Sequence, residues 1–141
     1  MMIPAQPPLD GIRILVVEDL ADLALAVSDG LRRMGATVEL KASARQARNR
    51  LLQDPVPQVV LLDHRLVGHE TGLDLALWMR AQPGLQQTAR ISYSGTDPAT
   101  LRQGWPDAQV FHQVISKPTS LSVLVEHISR ALAEMRAANA P

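Results

Sequence analysis

The chain has 141 residues, enough for about one domain, and a hydrophobic content of 46% argues against global disorder. Fourteen basic and fourteen acidic side chains give a formal net charge of zero, so nothing supports non-specific nucleic-acid binding. The absence of cysteine excludes disulfides and thiolate metal sites, and no apolar run reaches the ~20 residues of a membrane span. We therefore expect a soluble, cytoplasmic protein.

Hydrophobic patterns predict strands that alternate with helices along the chain. The predicted strands cover residues 12–17, 37–40, 58–62, 90–93 and 109–115. The predicted helices follow each strand, over residues 20–34, 44–52, 71–81, 98–103 and 121–135. Asp97-Pro98 and Ser120 have the residue types that begin helices. Residues 1–10 are predicted to be a flexible leader, residues 11–136 the domain, and residues 137–141 a tail.

This alternation implies βαβ units with right-handed crossovers, hence an α/β fold. The first and third strands are apolar without alternation, which predicts a parallel sheet covered by helices on both faces. In such doubly wound sheets, sites form beyond the carboxyl ends of the strands, at the topological switch point. Five polar side chains fall at strand ends: Glu18, Asp19, Asp63, Ser94 and Lys117.

These five side chains suit a magnesium-dependent phosphate site. Mg²⁺ prefers oxygen ligands, so Asp19 and Asp63 could bind it directly, with Glu18 outside or acting through water. Without metal, the adjacent carboxylates should repel each other, and at least one pKa should rise. In phosphoryl transfer to a carboxylate, Asp63 would attack phosphorus, while Lys117 and the Ser94 hydroxyl would each hold a phosphoryl oxygen.

Four segments that carry these side chains resemble the receiver domain of bacterial two-component response regulators, and the resemblance covers roughly residues 11–135. The matching segments are Leu15-Val16-Val17-Glu18-Asp19, Val59-Val60-Leu61-Leu62-Asp63, Ile91-Ser92-Tyr93-Ser94-Gly95 and Ile115-Ser116-Lys117-Pro118. The resemblance implies a flavodoxin-like fold, with a five-stranded parallel sheet in the order 2-1-3-4-5 and five helices.

The same resemblance implies a role for each site residue. Asp63 is the implied phosphoacceptor, and Ser94 fills the position of the switch hydroxyl. Lys117 is the implied phosphate-contacting lysine, in a cis peptide with Pro118. The implied Mg²⁺ ligands are Glu18, Asp19, Asp63 and the backbone carbonyl of Arg65.

The resemblance also implies partners and a class of activity. The phosphoryl donor would be a histidine kinase or a phosphotransfer protein, and the phosphorylated domain would act on a downstream protein partner. We expect a monomer or weak dimer without a nucleic-acid or membrane partner. The only chemistry expected is self-phosphorylation and self-dephosphorylation, so the chain is not expected to be an enzyme.

Two positions depart from the family pattern. Val114 stands three residues before the lysine, where the family usually has an aromatic residue that turns inward on activation. Val67 stands four residues after the acceptor, where proline is frequent. The loss of the aromatic side chain leaves open how phosphorylation would reach a partner surface.

Two other functions remain as alternatives. The domain could be an interaction module that works without phosphorylation. It could also be a phosphatase of the haloacid-dehalogenase type, but that chemistry normally needs an aspartate where this chain has Arg65. A transition-metal site at His64 and His69 lacks a third ligand at a fixed spacing.

Overall fold

The computed structural model describes residues 6–66 and 68–139. Five parallel strands form one sheet in the order β2-β1-β3-β4-β5. The strands are β1 (Arg13–Val17), β2 (Thr37–Lys41), β3 (Val59–Leu62), β4 (Ala89–Ser94) and β5 (Gln113–Ser116). The helices are α1 (Ala21–Arg33), α2 (Ala44–Leu51), α3 (Gly72–Ala81), α4 (Pro98–Gln103) and α5 (Leu121–Ala138), with a 3₁₀ turn at Pro83–Leu85. The predicted doubly wound, flavodoxin-like fold is confirmed.

The hydrophobic core lies on both faces of the sheet. On one face, Val16 and Leu61 pack with residues of α1 and α5, including Ile128. On the other face, Val17 and Leu62 pack with residues of α2 and α3. Because successive strand residues point to opposite faces, a strand covered on both sides must be apolar throughout. This geometry explains the uninterrupted apolar runs of β1 and β3.

The topological switch point lies between β1 and β3. From β1 the chain runs outward to β2, then returns across the sheet to β3 on the other side of β1. Val17 is paired with Leu62, so the residues that follow the two strands emerge side by side. The carboxyl edge of the sheet at β1 and β3 is therefore where strand-end side chains can meet.

The fifth strand is shorter than predicted, because it begins at Gln113 and not at residue 109. The buried Arg90 guanidinium donates to the carbonyl oxygens of Val110, at 2.8 Å, and of Gln109, at 3.3 Å. The N–H of Gln109 donates to the Asp107 carboxylate at 2.9 Å. Side chains therefore satisfy backbone groups of residues 109 and 110 in place of a strand ladder.

The packed domain also extends beyond the predicted limits of 11 and 136. Leu9 is fully buried, and its N–H donates to the Met34 carbonyl at 2.9 Å. At the other end, α5 continues to Ala138. Residues 1–5 of the predicted leader, residues 140–141 of the predicted tail and Val67 lie outside the described residues. Within the described ranges, no helix is both long and apolar enough to cross a bilayer.

Candidate functional site

Three carboxylates meet at the carboxyl ends of β1 and β3. The N–H of Asp63 donates to the Val17 carbonyl at 3.1 Å, which continues the pairing of the two strands by one residue. Glu18, Asp19 and Asp63 each offer a carboxylate oxygen, and these oxygens lie within 4.8 Å of one another. The adjacency of β1 and β3 thus brings Asp63 beside Glu18 and Asp19, which precede it by 45 and 44 positions in the sequence.

Lys117 reaches this cluster from the end of β5. Its Nζ lies 3.0 Å from Oε2 of Glu18 and 3.7 Å from Oδ2 of Asp63. Only 16% of the Lys117 side chain is exposed, so the ammonium is held close to the acids. The backbone N–H of Lys117 donates to the Ser94 carbonyl at 2.9 Å, and the peptide to Pro118 is cis, as the resemblance implies.

Glu18 is the most perturbed member of the cluster. The residue is 6% exposed, and its Oε1 is the one buried side-chain oxygen or nitrogen without a hydrogen-bond partner among the described residues. Burial, followed by the hydrogen bond and charge of Asp63, raises the pKa of Glu18 from 4.5 to about 7, although Lys117 opposes the rise. Burial and the neighbouring acid therefore favour the protonated form of Glu18 over its carboxylate.

The donor set fits a hard divalent cation. Three carboxylates offer the oxygen ligands that such ions prefer, and the unpaired Oε1 of Glu18 is an acceptor that lacks a positive partner. Within residues 6–66 and 68–139, this cluster is the group of three or more possible ligand residues that the structure brings together. It includes neither His64 nor His69.

Ser94 lies at the end of β4 and borders the same cleft. Its side chain is buried, and its Oγ accepts a hydrogen bond from the Thr96 N–H at 3.1 Å. That bond uses a lone pair and leaves the hydroxyl proton able to donate. An open cleft of about 470 Å³ is lined by the carboxylates and Lys117 together with Ser94, Arg65 and Thr96. The position of Ser94 suits a group that contacts an anion bound beside Asp63.

Arg65 and Val114 were also named from the sequence, and neither belongs to the carboxylate cluster. Arg65 is exposed at the rim of the cleft, and the role of its carbonyl as a metal ligand stays a prediction. Val114, at the usual aromatic position, is half-buried and packs against the core cluster on the α2 and α3 face.

Gly72 is a structural residue of the site that was not predicted from the sequence. A Cβ atom at this position would lie 2.1 Å from the Asp63 carbonyl oxygen, far inside van der Waals contact. The Gly72 N–H donates to the His64 carbonyl at 3.0 Å. The first turn of α3 therefore packs directly on the backbone of Asp63. The sequence feature that could have identified Gly72 is its place directly after Thr71. Thr71 begins α3 and forms a capping box with Asp74.

The sequence of this chain matches the model of the response regulator receiver domain over residues 14–129. The chain belongs to this family. A comparison with curated protein sequences finds no match.

Solved structures share the receiver fold at low sequence identity. A sensor protein from Polaromonas sp. JS666 has a TM-score of 0.80 and 21% identity, covering 89% of this chain and 98% of that chain. A CheY-like receiver domain from Methylobacillus flagellatus has a TM-score of 0.71 and 20% identity, covering 85% and 98%. The receiver domain of a sensor histidine kinase from Pseudomonas aeruginosa PAO1 has a TM-score of 0.76 and 25% identity, covering 87% and 98%. That last structure has a magnesium ion coordinated in its active site cleft.

Family membership places this receiver domain in two-component systems. Receiver domains of such systems interact with histidine kinases or phosphotransfer proteins. The carboxylate cluster, Lys117 and Ser94 lie together at one end of the receiver fold, and they supply the side chains for the proposal that follows.

Proposed function

We propose that this receiver domain accepts a phosphoryl group on Asp63 in a Mg²⁺-dependent reaction, and that the phosphorylated state changes its contacts with a partner protein. One observation carries the proposal. The Asp63 carboxylate lies within 4.8 Å of two further carboxylates, and its Oδ2 is 3.7 Å from the Lys117 ammonium, at the edge of an open cleft. Acids, an ammonium and access for a donor are thus combined at one carboxylate.

Glu18, Asp19 and Asp63 would hold the metal, with the Arg65 carbonyl as a further oxygen ligand. Bound there, Mg²⁺ would neutralise charge on the transferring phosphoryl oxygens. The unpaired Oε1 of Glu18 supports this assignment, because it is a buried acceptor without a donor, close to two further carboxylates. The magnesium in the cleft of the receiver from Pseudomonas aeruginosa supports it by likeness.

The protein side chains have separable tasks in the transfer. An Asp63 carboxylate oxygen would form the new bond to phosphorus, while the bond from phosphorus to the donor's leaving atom breaks and its electron pair leaves with the donor. The Lys117 ammonium would hold one phosphoryl oxygen, and the Ser94 hydroxyl would donate to another. Both groups lie at the same end of the sheet as Asp63.

The proposed donor is a histidine kinase or phosphotransfer protein, and the proposed readout is protein contact. We propose no turnover of small phosphomonoesters, because Arg65 stands where an aspartyl phosphatase of the haloacid-dehalogenase type would place its general acid. A phosphoryl dianion on Asp63 adds charge that would shift a two-state surface near Ser94 and its following loop.

The test is intact-mass analysis after incubation with acetyl phosphate and Mg²⁺. We expect the wild type and Asp29→Asn, a variant of an exposed α1 aspartate, to gain one phosphoryl group, and Asp63→Asn to gain none. Removal of Mg²⁺ with a chelator should abolish the gain. An unlabelled wild type, or equal labelling of Asp63→Asn, would refute the proposal. Equal partner affinity with and without beryllofluoride would instead favour the phosphorylation-independent module.

A further inference from the structure

Tyr93, the single tyrosine of the chain, lies beside the Lys117 ammonium. In β4, Ile91 and Tyr93 point to the face that carries α1 and α5, because alternate strand residues share a face. Tyr93 is paired with Ile115 of β5, and Lys117 follows Ile115 by two residues. The ring and the lysine side chain therefore project to the same face. The Lys117 Nζ lies 5.0 Å from the ring centroid, within the range of a cation–π interaction.

The ring is held in place by the core. Tyr93 is partly buried against the core cluster on the α1 and α5 face. With Lys117 it lines a small cavity whose other walls include Leu23 and Val27 of α1 and Leu61 of β3. Burial raises the pKa of the Tyr93 hydroxyl above 10, so the ring is neutral at physiological pH. A neutral, packed aromatic ring is a fixed surface for a cation, because core side chains have little freedom to move.

Among the described residues, Lys117 is attracted by the carboxylates of Glu18 and Asp63 and by the ring of Tyr93. The carboxylates of Glu18 and Asp63 are 3.0 and 3.7 Å from Nζ, and both are proposed metal ligands. A divalent cation bound to these carboxylates would weaken their attraction for the ammonium, since it neutralises the same charge. The π face of Tyr93 is no ligand for a hard cation, so its attraction for Lys117 would persist.

We propose that Tyr93 is a positioning residue of the acceptor site, and that its ring keeps the Lys117 ammonium beside Asp63 when the carboxylates are engaged by metal. The proposal rests on the proposed function, because it assigns Tyr93 a part in phosphoryl transfer. Tyr93 makes no contact with the transferred group in this assignment. It acts through Lys117, so its loss should change the rate of transfer and leave Mg²⁺ affinity unchanged.

The contact itself can be measured without any reaction. The chain has two lysines, so a Lys41→Arg background leaves Lys117 as the single lysine signal in an isotope-labelled sample. In that background we expect the Lys117 ε-methylene protons to resonate upfield, with and without Mg²⁺, because of the ring current of Tyr93. The upfield shift should remain in Tyr93→Phe and disappear in Tyr93→Leu. Equal shifts in the Phe and Leu variants, or loss of the wild-type shift on addition of Mg²⁺, would overturn the proposal.

The kinetic test compares the rate of Asp63 labelling for three side chains at position 93: a ring with a negative face, a ring without one, and an aliphatic side chain. At saturating Mg²⁺ and acetyl phosphate, Tyr93→Phe should label Asp63 at nearly the wild-type rate, and Tyr93→Leu should be slower by ~2- to 5-fold. Site-specific incorporation of trifluorophenylalanine at position 93 keeps the ring but removes the negative character of its face, so it should slow labelling as the Leu variant does. Equal rates for phenylalanine and its trifluoro form would assign Tyr93 a packing role only, and would overturn the proposal.

These outcomes separate the two proposals. If the wild type accepts no phosphoryl group, the proposed function fails, and the positioning role fails with it. If the wild type is labelled on Asp63 and all three Tyr93 variants match its rate, the positioning role alone fails. A labelled wild type with slow Leu and trifluorophenylalanine variants and a fast Phe variant supports both.

Discussion

A carboxyl group that is buried beside a second acid holds its proton more tightly than one in water, and Glu18 is such a group. Its pKa rises from 4.5 to about 7. The raised value favours the protonated form in the folded state. The contribution of Glu18 to the stability of the metal-free protein is therefore complete below pH 4.5, and it is lost as the pH rises towards 7. Mg²⁺ would compete with that proton for the same oxygens.

We predict that the affinity of the metal-free protein for Mg²⁺ increases with pH until Glu18 is ionised. Between about pH 5 and about pH 7 the increase should approach about tenfold per pH unit, since one proton is displaced, and it should level off above that range. Glu18→Gln should flatten the dependence, whereas Glu126→Gln, on the exposed face of α5, should retain it. Titration calorimetry in several pH buffers measures the affinities. A pH-independent wild type would contradict the linkage.

Gly72 allows α3 to approach the backbone of Asp63 closely. We predict that Gly72→Ala lowers the free energy of unfolding by about 1–3 kcal/mol, because the new Cβ must displace the Asp63 backbone. It should also slow phosphorylation of Asp63. Gly84→Ala is the matched control, since a Cβ there would meet nothing within 4 Å. Denaturant unfolding gives the stabilities, and equal values for the two alanine variants would contradict the role of the close approach.

At the scale of elements, the pairing of β4 with β5 depends on side chains as well as on the ladder. The N–H of Arg90 donates to Nδ1 of His112 at 2.9 Å, which requires an unprotonated nitrogen there. Burial, followed by the charge of Arg90, lowers the pKa of His112 below 6.5, although the charge of Glu134 opposes the shift. No sequence pattern around His112 indicates this role. It appears only once β4 and β5 are adjacent.

We predict that His112 makes the domain less stable in acid. Because the folded pKa lies below the ordinary value of 6.5, the stabilisation is complete above pH 6.5 and is lost as the pH falls through the lower, folded value. His112→Asn retains an acceptor that does not titrate, so it should reduce this loss. His69→Asn, at an exposed loop position, should not reduce it. Unfolding by denaturant at neutral and mildly acidic pH measures the difference, and an unchanged acid loss in His112→Asn would contradict the prediction.

The helices show which features can be predicted from local sequence patterns. The predicted starts at Asp97-Pro98 and Ser120 are confirmed: both side chains accept a backbone N–H, because a helix begins with unpaired donors. The helix predicted over residues 71–81 forms as α3, where Leu73 and Leu77 are only partly buried, while Leu75 and Met79 are fully buried. Helical spacing identifies an amphipathic helix, and the neighbouring elements decide which side becomes buried.

At the scale of the whole molecule, residues 7–12, which precede β1, pack against the rest of the domain. Pro7 and Asp10 pass so close to Gly35 that a Cβ on this glycine would lie 2.8 and 2.9 Å from them. Leu9 is buried in the cluster on the α1 and α5 face. Residues 7–10 of the predicted leader therefore pack at the amino-terminal end of β1 and β2, opposite the site.

We predict that Leu9→Ala lowers the free energy of unfolding by about 2–4 kcal/mol, as expected for a fully buried leucine. Leu52→Ala, at a leucine that is 67% exposed, should change it by less than about 1 kcal/mol. Thermal or denaturant unfolding of the two variants provides the comparison. Equal effects at the two positions would show that the segment around residue 9 does not contribute to the packed domain.

The sequence alone determined the fold class and the identity of the candidate site residues. Strand and helix patterns are local, and an acid or lysine directly after a buried strand must emerge at the carboxyl edge of a parallel sheet. For that reason the strand pattern is sufficient to name Glu18, Asp63 and Lys117. These residues could be predicted to meet despite their separation in sequence, because the order of the strands follows from the family resemblance and the sheet geometry.

Only the tertiary structure decided how these residues affect one another. The pKa of Glu18, the approach of Gly72 to Asp63 and the contact of Tyr93 with Lys117 depend on distances of a few ångströms between different elements. Burial and electrostatic interactions vary steeply over such distances, and no local sequence pattern encodes them. The sequence therefore identified which side chains reach the site, and the packing of β1, β3, β4 and β5 set their distances and burial there.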